Sequence, residues 1–455
     1  MKSALEIFES ELCQEHFEEA SFLYELRKGL IHDPRFCWPD VAAFENRLEA
    51  HLDALTQAGA AALSLLEEQE LVDEPGNLFT AVALCCRLQN YDALAATLTR
   101  VEEAPGESTP GASTPGESTR DESTGEEIRQ TALTDGLWWF CPPAWVPKLL
   151  ERFGHVPALA PHWIRLLGRS GDPGPARELE RFRGHEALFP LLAEAYADLG
   201  ALHAVSWLQG GLERRPPARS AAAFALLRLR TPDVAATLSA AASKETELLL
   251  PLSLALDAEQ TPALFQRAQN VMDLAEDHVL ALGFSGSARA VAPLIQCLRQ
   301  GVHPPTAAVA LRLISGQTPR EEVFIPEEID EDSLFPEEKQ RLERGEPLET
   351  KNGEDLVRLS QNPEDWLQWQ REAASFQPGI RYRLGQPLTQ AAPLAHLRDP
   401  FLPARVRTLI YWEWQMRYGL PEFFHVEMPV ERQQRLFTAC EAWLKKRAPQ
   451  AASQT

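Results

Sequence analysis

Along the first part of the chain, apolar residues return every three to five positions with glutamates between them. Leu5, Phe8, Leu12, Phe17, Phe22, Leu23 and Leu26 predict one amphipathic helix over 3–30, which Asp33-Pro34 ends. A second helix begins near Pro39-Asp40, carries Val41, Phe44, Leu48, Leu52 and Leu55 on one stripe, and stops or kinks at Gly59. A third runs from Asn77 through Leu78, Val82, Leu84 and Leu88, and a fourth covers Tyr91 to Val101.

The periodicity stops at 104–127. Pro105-Gly106-Glu107-Ser108-Thr109-Pro110 recurs nearly intact as Pro115-Gly116-Glu117-Ser118-Thr119, and the tandem has no aromatic or large aliphatic residue. Such a stretch buries no surface and is expected to be a disordered linker, a repeat expansion in a tolerant loop. From 130 to 318 the chain falls into helix pairs about thirty residues apart. The clearest pair begins with a turn at Gly283-Phe284-Ser285-Gly286-Ser287. A helix through Ala288, Val291, Leu294, Ile295 and Leu298 follows, then a small-residue helix with Ala307, Ala308, Ala310, Leu311 and Ile314. Weaker echoes start at Gly168, Gly200 and Asp257. One hairpin cannot bury its apolar face alone, so this spacing predicts stacking. Prolines at 319, 326, 336, 347 and 363 interrupt the pattern, which predicts an extended surface segment with a short helix over 336–344. Helical pattern returns at 364, with a hairpin over 393–418 and a final helix over 430–446.

The fold class expected is all-α: an α-solenoid of HEAT-like helix hairpins between an N-terminal helical bundle and a C-terminal helical cap. The segments are 1–103 (acidic bundle), 104–129 (linker), 130–318 (solenoid), 319–363 (acidic insert), 364–447 (cap) and 448–455 (disordered tail). Composition agrees, since 44% of residues are apolar, with Leu and Ala dominant and β-branched residues sparse.

The net charge of -22 is uneven. Residues 1–103 hold 20 acidic against 7 basic side chains, 319–354 hold 13 against 5, and 131–318 balance at 17 each. This surface repels phosphate backbones and suits a basic protein partner, so no nucleic acid is expected. The seven cysteines (13, 37, 85, 86, 141, 297, 440) are dispersed without a CxxC, which excludes zinc spacing and fits a reducing cytoplasm. No signal-peptide core or membrane-length apolar run is present, so a cytoplasmic location is expected.

Candidate chemistry is thin, and neither an enzyme nor a cofactor is expected. Gly283-Phe284-Ser285-Gly286-Ser287 departs from G-x-S-x-G and no strand precedes it. His16, Glu19, Glu49 and His51 sit on consecutive helices but lack the Glu-x-x-His spacing of helical metal sites. Arg381 and Arg383, flanking Tyr382, could grip an acidic group or pair with the acidic run at 327–332. Trp366 and Trp369 share a helical face and suit either an interface or the core of the cap. The protein-binding candidates are therefore Glu15, Glu19 and Glu49 at the acidic end, and Arg381, Tyr382, Arg383, Trp366 and Trp369 at the other.

Two stretches carry a resemblance. One is Glu15-His16-Phe17-Glu18-Glu19-Ala20-Ser21-Phe22-Leu23-Tyr24 with Leu48-Glu49-Ala50-His51-Leu52. The other is Val323-Phe324-Ile325-Pro326 with its acidic tail, Trp366, Gly379-Ile380-Arg381-Tyr382-Arg383-Leu384-Gly385, and Arg432-Gln433-Gln434. Over nearly the full length apart from 104–127, the chain resembles a proteobacterial family of HEAT-repeat-like conserved hypothetical proteins, often encoded near type VI secretion genes. The resemblance implies an α-solenoid and a non-enzymatic protein-binding scaffold: an adaptor, chaperone or immunity-like accessory of effector delivery, with a secretion-system effector or spike component as partner. Two readings stand beside it, a nucleic-acid-binding helical-repeat protein and a helical metal-dependent enzyme.

Overall fold

A computed structural model describes residues 4–33, 35–71, 74–103, 121–153, 159–171, 174–326, 334–344, 353–372, 376–377 and 379–451. The chain is all-α in class. Its helices are α1 (Ala4–His32), α2 (Val41–Ala58), α3 (Ala60–Leu65), α4 (Pro75–Arg87), α5 (Tyr91–Glu103), α6 (Asp121–Phe140), α7 (Val146–Phe153), α8 (Ala160–Arg169), α9 (Phe189–Asp198), α10 (Val205–Gly211), α11 (Ala218–Arg228) and α12 (Val234–Ala241). Then come α13 (Leu249–Ala255), α14 (Pro262–Arg267), α15 (Glu276–Ser285), α16 (Val291–Gln300) and α17 (Pro304–Ser315). Strand β1 (Arg320–Pro326), helix α18 (Pro336–Glu343), strand β2 (Gly353–Leu359) and helix α19 (Pro363–Glu372) follow. The chain closes with β3 (Tyr382–Arg383), β4 (Gln386–Pro387), α20 (Ala392–Leu397), α21 (Ala404–Tyr418) and α22 (Val430–Ala451). Much of this punctuation is written locally. Proline occupies the first turn of α4, α8, α9, α14 and α17, where its missing N–H costs nothing. Left-handed glycines stop α15, α16, α17 and α21.

The chain divides into two compact units, and the division cuts across the segments expected from the sequence. Unit 1 joins 1–238 to 393–455, and unit 2 is 239–392. In unit 1, α1 packs on α2, α3 and α4, and then α4 on α6, α6 on α8, α8 on α9 and α9 on α11. Helix α21 returns against α11 and α1, and α22 against α2. Tyr24 stacks on Phe79 with centroids 4.0 Å apart, and Trp139 meets Phe79 edge-on at 5.4 Å. Helix α1 has two faces. Cys13, Phe17, Ala20 and Tyr24 are buried, whereas Phe8, Leu12 and Phe22 are 60%, 40% and 59% exposed. The single stripe expected from the sequence is thus a buried face and an outward one.

In unit 2, α13 packs on α15 and α15 on α17, with α16 against α17 and α19. The ends of these stacked helices share one capping segment. Arg381 donates to the carbonyls of Ser253 and Leu256 at the end of α13, at 2.6 and 2.7 Å. Arg383 donates to those of Gly283 and Phe284 at the end of α15, at 3.1 and 2.5 Å. The amides of Leu384 and Gly385 donate to Leu313 and Ile314 at the end of α17, both at 2.9 Å. A helix leaves its last carbonyls without intrahelical donors, and this segment supplies them to three helices in turn. Close approach is possible because Gly286, at φ 61°, has no Cβ; one there would lie 2.5 Å from the Tyr382 carbonyl oxygen.

Several expectations change. The turn placed at 283–287 starts later: Gly283, Phe284 and Ser285 are the last turn of α15, and Gly286 is its stop. Gly283 is needed because α17 lies against it, with Ala310 Cα 2.6 Å from where a Cβ would be. The 319–363 segment contains an antiparallel ribbon, Arg320 to Pro326 paired with Leu359 to Gly353, around α18. Residues 104–120 and 452–455 lie outside the described residues, but helix α6 begins at Asp121 inside the expected linker and α22 runs through Ala451 into the expected tail. Among the described residues, no helix is long and apolar enough to cross a membrane.

Capping by Arg383 makes unit 2 sensitive at two positions. Arg383→Met strands two buried carbonyls and is expected to destabilise it by about 3 kcal/mol. Gly286→Ala forces a left-handed alanine against the Tyr382 carbonyl, at a cost of about 2 kcal/mol. Urea unfolding curves of both variants check this.

Candidate functional site

Of the acidic candidates, Glu15 is exposed, and Glu19 faces Arg47 at 3.7 Å. Glu49 is engaged with Arg87, which also holds Asp53 at 2.6 Å. The two helices do bring His16 and His51 together, with their Nδ1 atoms 3.0 Å apart. Burial and the nearby His16 lower the His51 pKa. The two imidazoles contact each other through these nitrogens, and Glu49 is committed to Arg87. No group of three or more His, Cys, Asp or Glu among the described residues could hold a metal ion.

The other candidates are corrected by their burial. Arg381, Tyr382, Arg383, Trp366 and Trp369 are all buried in unit 2. The two arginines serve the helix ends described above; the acidic run at 327–332, their expected internal partner, lies outside the described residues. Trp366 donates to the Ser360 carbonyl at 2.9 Å, and Trp369 meets Phe376, which stacks on Tyr382 at 3.8 Å. None of the five has the accessible surface that partner contact requires. The hydroxyls of the serine motif are likewise committed: Ser285 donates to the Leu282 carbonyl and Ser287 accepts from the Arg289 amide.

The site that the sequence reading missed lies in unit 1. Arg27 and Lys28 follow Phe17, Ala20 and Tyr24 on the buried face of α1, and cations at core positions imply buried carboxylates. Arg27 binds Glu45 of α2 at 2.8 Å, donates to the Glu427 and Met428 carbonyls, and lies 4.4 Å over the Trp139 ring. Lys28 reaches Asp135 of α6 at 3.2 Å and Glu427 at 2.8 Å. Asp135 also accepts from Tyr24 at 2.8 Å and Arg169 of α8 at 2.5 Å. His32 contacts Glu427 at 2.6 Å. Burial works against ionisation of Glu427, yet Lys28, His32 and Arg27 outweigh it and hold the carboxyl well below the usual carboxylate range.

Beside this network opens a cavity of about 690 Å³ between α1, α6, α8, α9, α21 and the 425–427 loop. Its base is set where Gly168 of α8 meets α9: a Cβ there would lie 3.1 Å from both Ala195 Cα and Cβ. Gly29 of α1 lines the cavity and has nothing within 4 Å of a built Cβ. A second hollow of about 400 Å³ continues past Leu191, Glu194 and Trp412 towards Phe224. The two ends carry different titratable groups. His425 accepts the Glu427 amide at Nδ1, which leaves its proton on Nε2. Burial, then Arg169, pushes its pKa well below normal. Asp198 of α9 binds Arg228 through Oδ1. Burial nevertheless pushes its pKa up to about 6, with Arg228 opposing and Glu194 adding to the rise.

These two groups bend the pH dependence of stability in opposite senses. Asp198 titrates near 3.9 when unfolded, so its contribution is full below about pH 4 and is lost as pH rises through about 6. His425, neutral when folded, contributes fully above about 6.5 and loses that contribution as pH falls. Asp198→Asn removes the first term, so its stability is expected to rise more steeply between pH 4 and 6.5 than that of the wild type. Chemical denaturation across that range measures the slope, which is separate from the uniform loss caused by stranding Arg228.

No family model, curated protein or solved structure matches the chain.

Proposed function

We infer that the chain is a protein-binding scaffold, a helical-repeat body whose acidic N-terminal helix captures a basic amphipathic helix of a partner. One observation carries this reading: Phe8, Leu12, Glu15, Glu19 and Phe22 follow each other at steps of four, three, four and three along α1, with all three apolar members exposed. That is the spacing of a coiled-coil seam. Its neighbours Glu9, Glu11 and Glu18 are exposed and acidic, while the basic residues of α1, Arg27 and Lys28, are buried. A partner helix with apolar residues at its ends and lysine or arginine opposite Glu15 and Glu19 complements it.

The packing of alternate helices, α4 to α6 to α8 in unit 1 and α13 to α15 to α17 in unit 2, supports a HEAT-like solenoid within each unit. An accessory role in effector delivery, which the family resemblance implies, suits a scaffold of this kind. The test compares wild type with the Phe8→Asp, Phe22→Asp double variant in affinity capture from the native lysate, with crosslinking and mass spectrometry. Both positions are exposed, so thermal stability is expected to stay unchanged. The expected result is a protein crosslinked to α1 that is lost from the variant and released as salt rises. Equal capture by both proteins, or no partner crosslinked to α1, overturns the reading.

A further inference from the structure

The unit 1 cavity has ends of opposite character. On the α1 side, Lys28 and the outward His32 hold Glu427, Arg169 holds Asp135, and the Nε2–H of His425 has no partner among the described residues. This end offers N–H donors beside the paired carboxylates of Glu427 and Asp135. On the α9 side, the Asp198 side chain is 9% exposed and spends only Oδ1 on Arg228. Its Oδ2 lies 3.7 Å from the Cβ position of Gly168, facing α8, and accepts nothing among the described residues. Glu194, one turn earlier on the same face of α9, likewise has no ion pair there. This end offers acceptors, the second oxygen of Asp198 and the carboxylate of Glu194. The rest of the lining has an apolar part, Ile164, Leu191, Val426 and Trp412, and a polar part, Thr131, Arg165 and Thr408.

A pocket with unused N–H donors on one side, unused carboxylate oxygens on the other and aliphatic side chains in its lining suits a ligand that carries both an acceptor and a donor group. The volume of about 690 Å³ falls within the range of small-molecule sites, ~300–1,000 Å³. We propose that this cavity binds a small zwitterion of the amino-acid or dipeptide class, with its carboxylate at His425, Lys28 and Arg169, its ammonium at Asp198 and Glu194, and an aliphatic side chain against Ile164, Leu191 and Val426. The site is separate from the outward face of α1, so it stands or falls independently of partner capture.

The test is calorimetric titration and thermal shift of the full chain with leucine, leucyl-leucine and their N-acetyl and C-amide derivatives. Saturable binding of a free zwitterion is expected. Acetylation removes the cation and amidation the anion, and each is expected to weaken binding about tenfold or more, the effect of losing a charge-assisted hydrogen bond. Gly29→Leu fills the cavity from within a helix where leucine is a better helix former than glycine. It is expected to abolish binding while the melting temperature holds or rises. Asp198→Asn is expected to weaken the free zwitterions while leaving the N-acetyl forms unchanged. The proposal is overturned if none of the probes binds at millimolar concentration, if the acetylated and amidated forms bind as well as the free ones, or if Gly29→Leu binds as wild type does.

Discussion

Unit 1 depends on the burial of two consecutive cations, Arg27 and Lys28, on the core face of α1. Neither can remain there without carboxylates, and those come from three places in the chain: Glu45 of α2, Asp135 of α6 and Glu427 of the C-terminal segment. Stranding one member of such a cluster costs about 3–5 kcal/mol, because the remaining charge stays buried and unpaired. That penalty holds 393–455 to the N-terminal helices across a gap of about 150 residues of chain. Glu45 adds a second tie, accepting the amide of Val430 at 2.8 Å as α22 begins. Hydrophobic packing could tolerate several registers of α1 against its neighbours; a charge cluster with hydrogen-bonding partners on both sides tolerates few.

Unit 2 solves a related problem at helix ends instead of helix faces. Stacked helices that stop in the same plane leave several carbonyls in a dry environment. The 381–385 segment lies across three of these ends and meets them alternately with guanidinium and backbone N–H groups. The stop glycines of α15 and α17 let it approach: at Gly316, as at Gly286, a Cβ would run into backbone, 2.7 Å from the carbonyl group of Leu384. Arg381 and Arg383 are therefore structural in the same sense as the glycines they sit beside.

Polar groups left over from these two devices define where function can reside. On the buried face of α1, Arg27 and Lys28 are held by carboxylates of the fold, while on its outward face Glu9, Glu11 and Glu15 are exposed. The same helix thus supplies the ionic lock, the wall of the cavity through Gly29, and the exposed seam of Phe8, Leu12 and Phe22. Within the cavity, the carboxyl of Asp198 is half used and the imidazole of His425 is held in one tautomer. Folding has settled their geometry and left hydrogen-bonding capacity open to a ligand.

Local signals in the sequence determined the class of the fold and most of its helices. Proline at helix starts, glycine at helix stops and a three-to-four-residue apolar period act through the backbone of a few neighbouring residues, so they can be read without a partner. The bounds of α2, α5 and α21 follow from them closely. What stayed hidden depends on distant residues. The apolar positions of α1 form one drifting stripe in sequence, and only packing against α2 and α4 decides that Phe17 goes in and Phe22 stays out. Arg381 and Arg383 look like ligand groups because sequence shows their charge but not the carbonyls waiting at the ends of α13 and α15. The cavity was legible only as an anomaly, two cations at core positions of an amphipathic helix. Its acids come from residues 33, 194, 198 and 427, and only the tertiary structure brings them together, because a buried charge is satisfied by whatever lies beside it in space rather than along the chain.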